Sequence, residues 1–258
     1  MLFESKLARK RRIIKEYDAY VLIKKPHEIE HIKKACAITS QIFDCLLEKD
    51  LCVGKTEKQI AETIYAYSQD MFADKELAFD TIVGSGPNSS FVHSTPTDRV
   101  IQEGDIVQFD FGVRIKGYCS DLSRVVFMGS KTDAPKKVRR MLKCIKALQS
   151  EGVDRLKRHD SFNEIGSWMV ESFKQKGLDY NYLHSLGHGV GQEIHEFPGI
   201  SPKTKPELIP KPGMIVTIEP GLYFPSKFGC RIEDTLLVTE TGAESLTTAS
   251  RKLYLDRQ

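Results

Sequence analysis

The chain has 258 residues, 40% hydrophobic and 28% charged, with a net charge of +3, an ordinary composition for one large domain or two small ones with a buried core. No apolar run approaches the ~18 residues of a membrane span, and the opening MLFESKLARKRR lacks an apolar stretch followed by a cleavage site, which argues for the cytoplasm rather than export. The cysteines (Cys36, Cys45, Cys52, Cys119, Cys144, Cys230) contain no C-x-x-C pair, so free thiols are expected rather than a zinc knuckle or a thioredoxin-like site.

Charge is spread unevenly. Residues 1–25 carry eight Lys/Arg against three acids, a local +5 that leaves −2 for the remainder. The cluster Arg9, Lys10, Arg11, Arg12 and Lys15 reads as a solvated extension or linker, and the near-neutral body is unlike a nucleic-acid-binding domain. Neither a membrane nor a nucleic acid is an expected partner.

Pro26 opens a helical pattern, HEIEHIKKACAITSQIFDCLLEKD, in which Ile29, Ile32, Cys36, Phe43 and Leu46 follow helical spacing. Thr56 followed by Gln59 predicts a capping box and a helix from about Glu57 to Met71. Gly84, Gly86, Pro87 and Asn88 mark a loop, and GDIVQFDFGVRIKGYCSDLSRVVFMG reads as strand, turn, strand with Gly117 near the turn. APKKVRRMLKCIKALQSEG predicts another helix. Ser161 with Glu164 predicts a second capping box, opening the helix FNEIGSWMVESFKQKG. A glycine-rich loop and a second strand pair ending in CRIEDTLLVT complete the chain.

The two halves repeat. Gly104-DIVQF-Asp110-F-Gly112 aligns with Gly213-MIVTI-Glu219-P-Gly221, and each carboxylate is followed by a second, Asp121 after 11 residues and Glu233 after 14. This predicts an α+β domain of two pseudo-symmetric halves, each helix, helix, β-hairpin, with the helices on one face of a sheet.

Strand side chains alternate, so Ile106, Gln108 and Asp110 share a face, and a return strand can set Asp121 beside Asp110. Glu219 and Glu233 can pair likewise, and the pseudo-symmetry brings both pairs to the centre. Four carboxylates there repel one another unless cations intervene. Two divalent ions with one imidazole would suit them, as Mn, Co, Zn or Fe(II) rather than a dedicated Ca site. In YLHSLGHGVGQEIHEFP three histidines lie among Gly187, Gly189 and Gly191, glycines that would permit close backbone approach to a ligand. No G-x-S-x-G elbow or H-E-x-x-H helix is present.

FDTIVGSGPNSSFVHSTPTDR, QFDFGVRIKGYCSDLSR, LHSLGHGVGQEIHEFPGIS, IVTIEPGLY and RIEDTLLVT together resemble the pita-bread (M24) metallopeptidases, which include methionine aminopeptidase, aminopeptidase P and prolidase. The resemblance runs from Pro26 to about Ser250. It implies a pita-bread (creatinase/aminopeptidase) fold with a central curved antiparallel sheet covered by helices, over residues 26–258. It also implies two metal ions, manganese first among the candidates, on Asp110, Asp121, His188, Glu219 and Glu233, with Asp121 and Glu233 bridging. His93, His184 and His195 match the family's outer histidines, which position substrate, and Glu219 would also shuttle a proton. The 14-residue interval between the glutamates and the RIEDT context are similar to the aminopeptidase P and prolidase branch, implying hydrolysis before a penultimate proline. Prolidases often carry an arginine just after H-E-x-P, where this chain has Gly199, which favours peptides longer than dipeptides. That branch usually adds an N-terminal domain, where this chain has about 25 residues. A methionine aminopeptidase and a non-catalytic binding module are the alternatives. The family admits a homodimer, without an interface signal in this sequence.

Overall fold

The computed structural model of the chain describes residues 22–71 and 76–256; the basic cluster at residues 9–15 lies outside them. Helix α1 (Pro26–Cys45) starts on a proline, and the Glu28 carboxylate accepts from the Lys25 backbone N–H at 2.6 Å. The expected pattern to Asp50 is met by a change of pitch, a π-helical turn over Leu46–Asp50 that leaves both Leu46 and Leu47 buried. Helix α2 (Glu57–Met71) has the expected reciprocal cap. Thr56 N donates to Gln59 Oε1 and Gln59 N to Thr56 Oγ1. Helix α3 (Lys136–Lys157) runs past Gly152, where a Cβ would sit 2.9 Å from Ile218 Cγ2. Helix α4 (Phe162–Lys174) is capped by Ser161 and Glu164 as expected.

The strands in chain order are β1 (Glu76–Leu77), β2 (Ile82–Ser85), β3 (Ile106–Phe111), β4 (Val113–Ile115), β5 (Tyr118–Cys119), β6 (Leu122–Met128), β7 (Gly187–Gly189), β8 (Glu196–Ile200), β9 (Ile215–Ile218), β10 (Gly221–Phe224), β11 (Phe228–Arg231), β12 (Asp234–Thr239), β13 (Gly242–Ser245) and β14 (Tyr254–Leu255). The first half builds a sheet ordered β14-β6-β3-β2, antiparallel except where β14 runs alongside β6. The second builds β13-β12-β9-β7-β8, antiparallel throughout. The expected single turn after Asp110 is more elaborate. The chain leaves the sheet at Gly112, makes the small β4–β5 hairpin and returns as β6.

Alternation along the strands separates core from site. Val107, Phe109 and Phe111 pack into the cluster formed with α1 and α2, while Gln108 and Asp110 face the other way. In the second half Val216 and Ile218 pack beneath α3 and α4, which leaves Thr217 and Glu219 on the opposite face. Each sheet is therefore covered by its own helix pair on one face and presents its carboxylate on the other. All six cysteines are free thiols. Among the described residues no helix is long and apolar enough to cross a membrane.

Candidate metal centre

The two repeats converge by the same local devices. Gly104 and Gly213 both have left-handed backbone, φ +83° and +87°, and turn the chain into β3 and β9. The second glycines mark close approaches. A Cβ on Gly112 would lie 1.8 Å from the Ser120 carbonyl oxygen, and one on Gly221 would lie 2.7 Å from His184 Nε2. Asp110 pairs across the sheet with Ser123, so Asp121, two residues earlier, shares its face on the diagonal. The β9–β12 register, Asp234 opposite Ile218, extends to put Glu233 opposite Glu219. All four carboxylates line one cavity of about 920 Å³, together with His93, His184, His188 and His195.

The tautomer of His188 is decisive for what this cluster can hold. Its Nδ1 lies 3.0 Å from the Gly189 carbonyl oxygen, which can only accept, so the proton is on Nδ1. Nε2 then carries a lone pair, and it points at Asp121 Oδ2 and Glu219 Oε1, each 3.5 Å away. Ligand atoms of Asp121, His188 and Glu233 all lie within 4.8 Å of one another. Asp110 Oδ1, Asp121 Oδ1 and Glu233 Oε1 are buried and have no hydrogen-bond partner among the described residues. Converging lone pairs and orphaned carboxylate oxygens are a costly arrangement for a polar cluster by itself and a fitting one for divalent cations.

The electrostatics agree. Burial, followed by repulsion from Glu233, Asp110 and Glu219, pushes the Asp121 carboxyl well above its ordinary range. Burial and then Glu219 and Asp110 do the same to Glu233, and Glu219 is pushed up to about 8, mainly by burial. Burial holds His188 down at about 4, so the ring stays neutral, the form that ligates. Among the described residues Arg231 is the one Lys or Arg lining the cavity. Its guanidinium donates to Asp110 Oδ2, to the Tyr223 hydroxyl, to Ser123 Oγ at 2.8 Å and to the Val92 carbonyl at 3.2 Å. Fully deprotonated, as metal binding requires, four carboxylates against one guanidinium would leave a surplus of three negative charges.

The model of metallopeptidase family M24 matches residues 30–240. The chain belongs to this family. The Xaa-Pro dipeptidase of Pyrococcus furiosus is 39% identical over 232 residues, which are 90% of this chain and 65% of that protein. The chain thus spans just under two thirds of the length of that relative. The solved prolidase from Pyrococcus furiosus superposes with a TM-score of 0.86 at 36% identity, covering 93% of this chain and 69% of that one. The X-Pro aminopeptidase from Thermotoga maritima does so at 0.85 and 31%, covering 97% and 72%. These likenesses bear out the pita-bread expectation for the fold, and membership of a metallopeptidase family agrees with a cation-binding centre.

Within this M24 fold the outer histidines differ in freedom. His93 and His195 are exposed to the cavity with no hydrogen-bond partner among the described residues; the His195 ring meets that of His188 edge-on at 4.5 Å. His184 is more committed. Nδ1 donates to the Ser185 carbonyl at 2.7 Å, so Nε2 accepts from the Tyr223 hydroxyl at 3.0 Å, and that hydroxyl in turn accepts from Arg231. To donate to a substrate, His184 would have to give up the Ser185 bond. Burial first, and then Arg231, lowers its pKa to about 3. The glycines of this M24 segment have a different use from the one expected. A Cβ on Gly187 would be 2.1 Å from the Thr217 carbonyl oxygen, and one on Gly189 2.5 Å from that of Phe197. These two admit neighbouring strands, because this part of the expected glycine-rich loop is strand β7, whereas Gly191, beyond it, makes room for the Glu196 carboxylate, 2.3 Å from a Cβ built there.

Arg231, Tyr223 and Ser123 were not legible in the sequence, and nor was Glu57. The last is fully buried at the start of α2, where its carboxylate accepts from Ser85 N and Oγ (both 2.7 Å), Thr97 N (3.0 Å), Thr97 Oγ1 (2.6 Å) and Asn88 Nδ2 (3.1 Å). It closes the neck of the loop that carries His93. The only local sign is an acid in a capping-box first turn, which ordinarily reads as dipole compensation. Glu57→Gln strips acceptors from several buried donors and should destabilise the chain by about 2–3 kcal/mol. The denaturant midpoint measures this; an unchanged midpoint would mean the loop closes without it.

Proposed function

We propose that the chain is a two-metal peptidase that removes the N-terminal residue from peptides with proline in second position. The observation that carries this reading is the His188 Nε2 lone pair directed at two carboxylate oxygens, one from each half, among four carboxylates of which each half supplies two. Asp110, Asp121, His188, Glu219 and Glu233 would hold the ions. One divalent ion would leave part of the threefold negative surplus uncovered, and two would cover it. Manganese is the first choice, with Co, Zn or Fe as alternatives, given oxygen donors with one imidazole. When bound, such ions lower the pKa of water and polarise a carbonyl.

The chain's own groups supply the rest. Glu219, flanked by His188 Nε2 and by His184 Nδ1 at 3.7 Å, is placed to take up a proton on a carboxylate oxygen and release it toward the departing proline nitrogen. His93 and His195, free at the cavity wall, would donate to the substrate carbonyl as charge develops there. Arg231 fixes Asp110, and through Tyr223 it fixes the ring of His184. A bond to proline has no N–H, and none of these roles asks for one.

The interval of 14 residues between Glu219 and Glu233 and the names of the relatives support the Xaa-Pro branch. Gly199 has open space around it, with nothing within 4 Å of a Cβ built there, yet no arginine occupies the place. A dipeptide carboxylate would therefore go unanchored, which favours longer peptides. Hydrolysis of Arg-Pro-Pro, Leu-Pro and Met-Ala-Ser, each with Mn, Co or Zn, tests this directly. Arg-Pro-Pro should exceed Leu-Pro in kcat/KM by about tenfold, the worth of ~1.4 kcal/mol, with Met-Ala-Ser untouched. Preferred cleavage of Leu-Pro would make the chain a dipeptidase; release of Met, or no hydrolysis with any metal, would overturn the reading.

A further inference from the structure

Helix α3 is divided electrostatically. From Glu151 onward its cations are paired: Arg155 with Glu151 and Asp160, Lys157 with Asp154, and the following Arg158 with Glu151 and Asp160. Residues 134–150 contain six Lys or Arg and no acid. Lys136, Arg139, Arg140, Lys143 and Lys146 of this half, joined by Lys131 from the preceding loop, line one groove of about 650 Å³. None of the six makes an ion pair with a carboxylate among the described residues; Arg139 reaches only the Lys131 and Thr132 carbonyls, and Lys146 only that of Arg251. The nearest acid in sequence, Asp133, is engaged with Ser130.

Apart from those carbonyl contacts, no acid among the described residues offsets this pattern. Lys136 with Arg139 and Arg140, and Lys143 with Arg139, Arg140 and Lys146, are like charges at i,i+3 or i,i+4, which repel. They also crowd the helix N-terminus, the end that disfavours cations, where Pro135 offers no side-chain cap. A charge pattern that its own helix opposes is explained by an anion from outside. Lys136 to Lys146 spans about 15 Å of helix axis, too long a stripe for a single anionic group and suited to a chain of phosphates. Leu253 and Tyr254 lie beside it, and Tyr254 presents an aromatic ring. No exposed large hydrophobic residue belongs to the groove, which argues against a bilayer surface.

We propose that this groove binds the phosphate backbone of a nucleic acid strand. It shares no residue with the metal centre, so the binding is independent of peptide hydrolysis. A body whose overall charge is near neutral can still carry such a site, because α3 concentrates on one face the cations that composition averages away.

The test is fluorescence anisotropy of the full chain with labelled single- and double-stranded oligonucleotides of about 20 nucleotides over a salt series; with roughly five phosphates neutralised, log K should fall with log salt at about −3.5 for the single strand. The triple variant K136E/R140E/K143E should bind at least ~10-fold more weakly with an unchanged melting temperature, and the glutamine version of the same triple should fall between. Parent-like binding by both triples would overturn the proposal and assign the affinity to residues 1–25. Absence of salt-dependent binding by the parent would overturn it as well, as would displacement of the oligonucleotide by poly-glutamate at equal charge, which would make the partner an acidic protein segment.

Discussion

Stripped of metal, an Asp121→Asn chain should melt above the equally stripped parent. Asp121 is buried among Glu233, Asp110 and Glu219, and its Oδ2 faces an imidazole lone pair at 3.5 Å. An amide in its place removes one charge from the cluster and can turn an N–H toward His188 Nε2. The expected gain is about 1 kcal/mol or more, roughly 2–4 °C per kcal/mol for a chain of this size. Divalent ions should reverse the order. The parent should be raised by about 2.7 kcal/mol at a free concentration one hundred times Kd, and the variant much less. Hydrolysis of an Xaa-Pro substrate should be lost with the metal response. A stripped variant less stable than the stripped parent would mean that the carboxylates are not in conflict.

The same conflict fixes a pH dependence for the metal-free parent. Glu219, Glu233 and Asp121 have folded-state pKa values above their unfolded ones, so each contributes stability that is complete below the ordinary carboxylate range. For Glu219 it is lost as pH rises through about 8. Metal binding requires the deprotonated forms, so the loaded chain should not show this decline.

Arg231→Met should be the most damaging single change at the site. The arginine is 2% exposed and its partner Asp110 is 8% exposed, so its removal leaves a buried carboxylate facing three others without a counter-cation. Breaking one side of a buried pair typically costs about 3–5 kcal/mol. The denaturant midpoint in chelator should fall accordingly, and Asp110→Asn added to Arg231→Met should recover most of the loss, since the two residues act as a unit. Divalent ions should narrow the deficit, because they take over the neutralising role. A parent-like midpoint for Arg231→Met in chelator would remove the guanidinium from the electrostatics.

The sequence displayed what depends on local periodicity and repetition. Helix α2 begins at the residue its capping box predicted, and the paired glycines around Asp110 and Glu219 proved to be matched turns and matched close approaches. The five candidate ligands and three outer histidines all line one cavity. What stayed hidden depends on contacts distant in the chain. Arg231 reads locally as one more strand residue near Glu233, and only the fold brings it to Asp110, 121 positions away. Ser123 gives no sign that its hydroxyl joins the halves, donating to Glu233 at 2.8 Å and accepting from Arg231. Part of the glycine-rich run differs from the expected loop because a short strand whose glycines, Gly187 and Gly189, admit neighbouring backbones has the composition of a loop.

Isothermal titration of Mn²⁺ into the chelator-stripped chain tests the metal centre most directly. Two ions per chain are expected for the parent, with proton release on binding, and the heat should be abolished or reduced to one weak site in Asp121→Asn. No binding by the parent, or a stoichiometry and affinity unchanged by that substitution, would contradict a centre built on these carboxylates and His188.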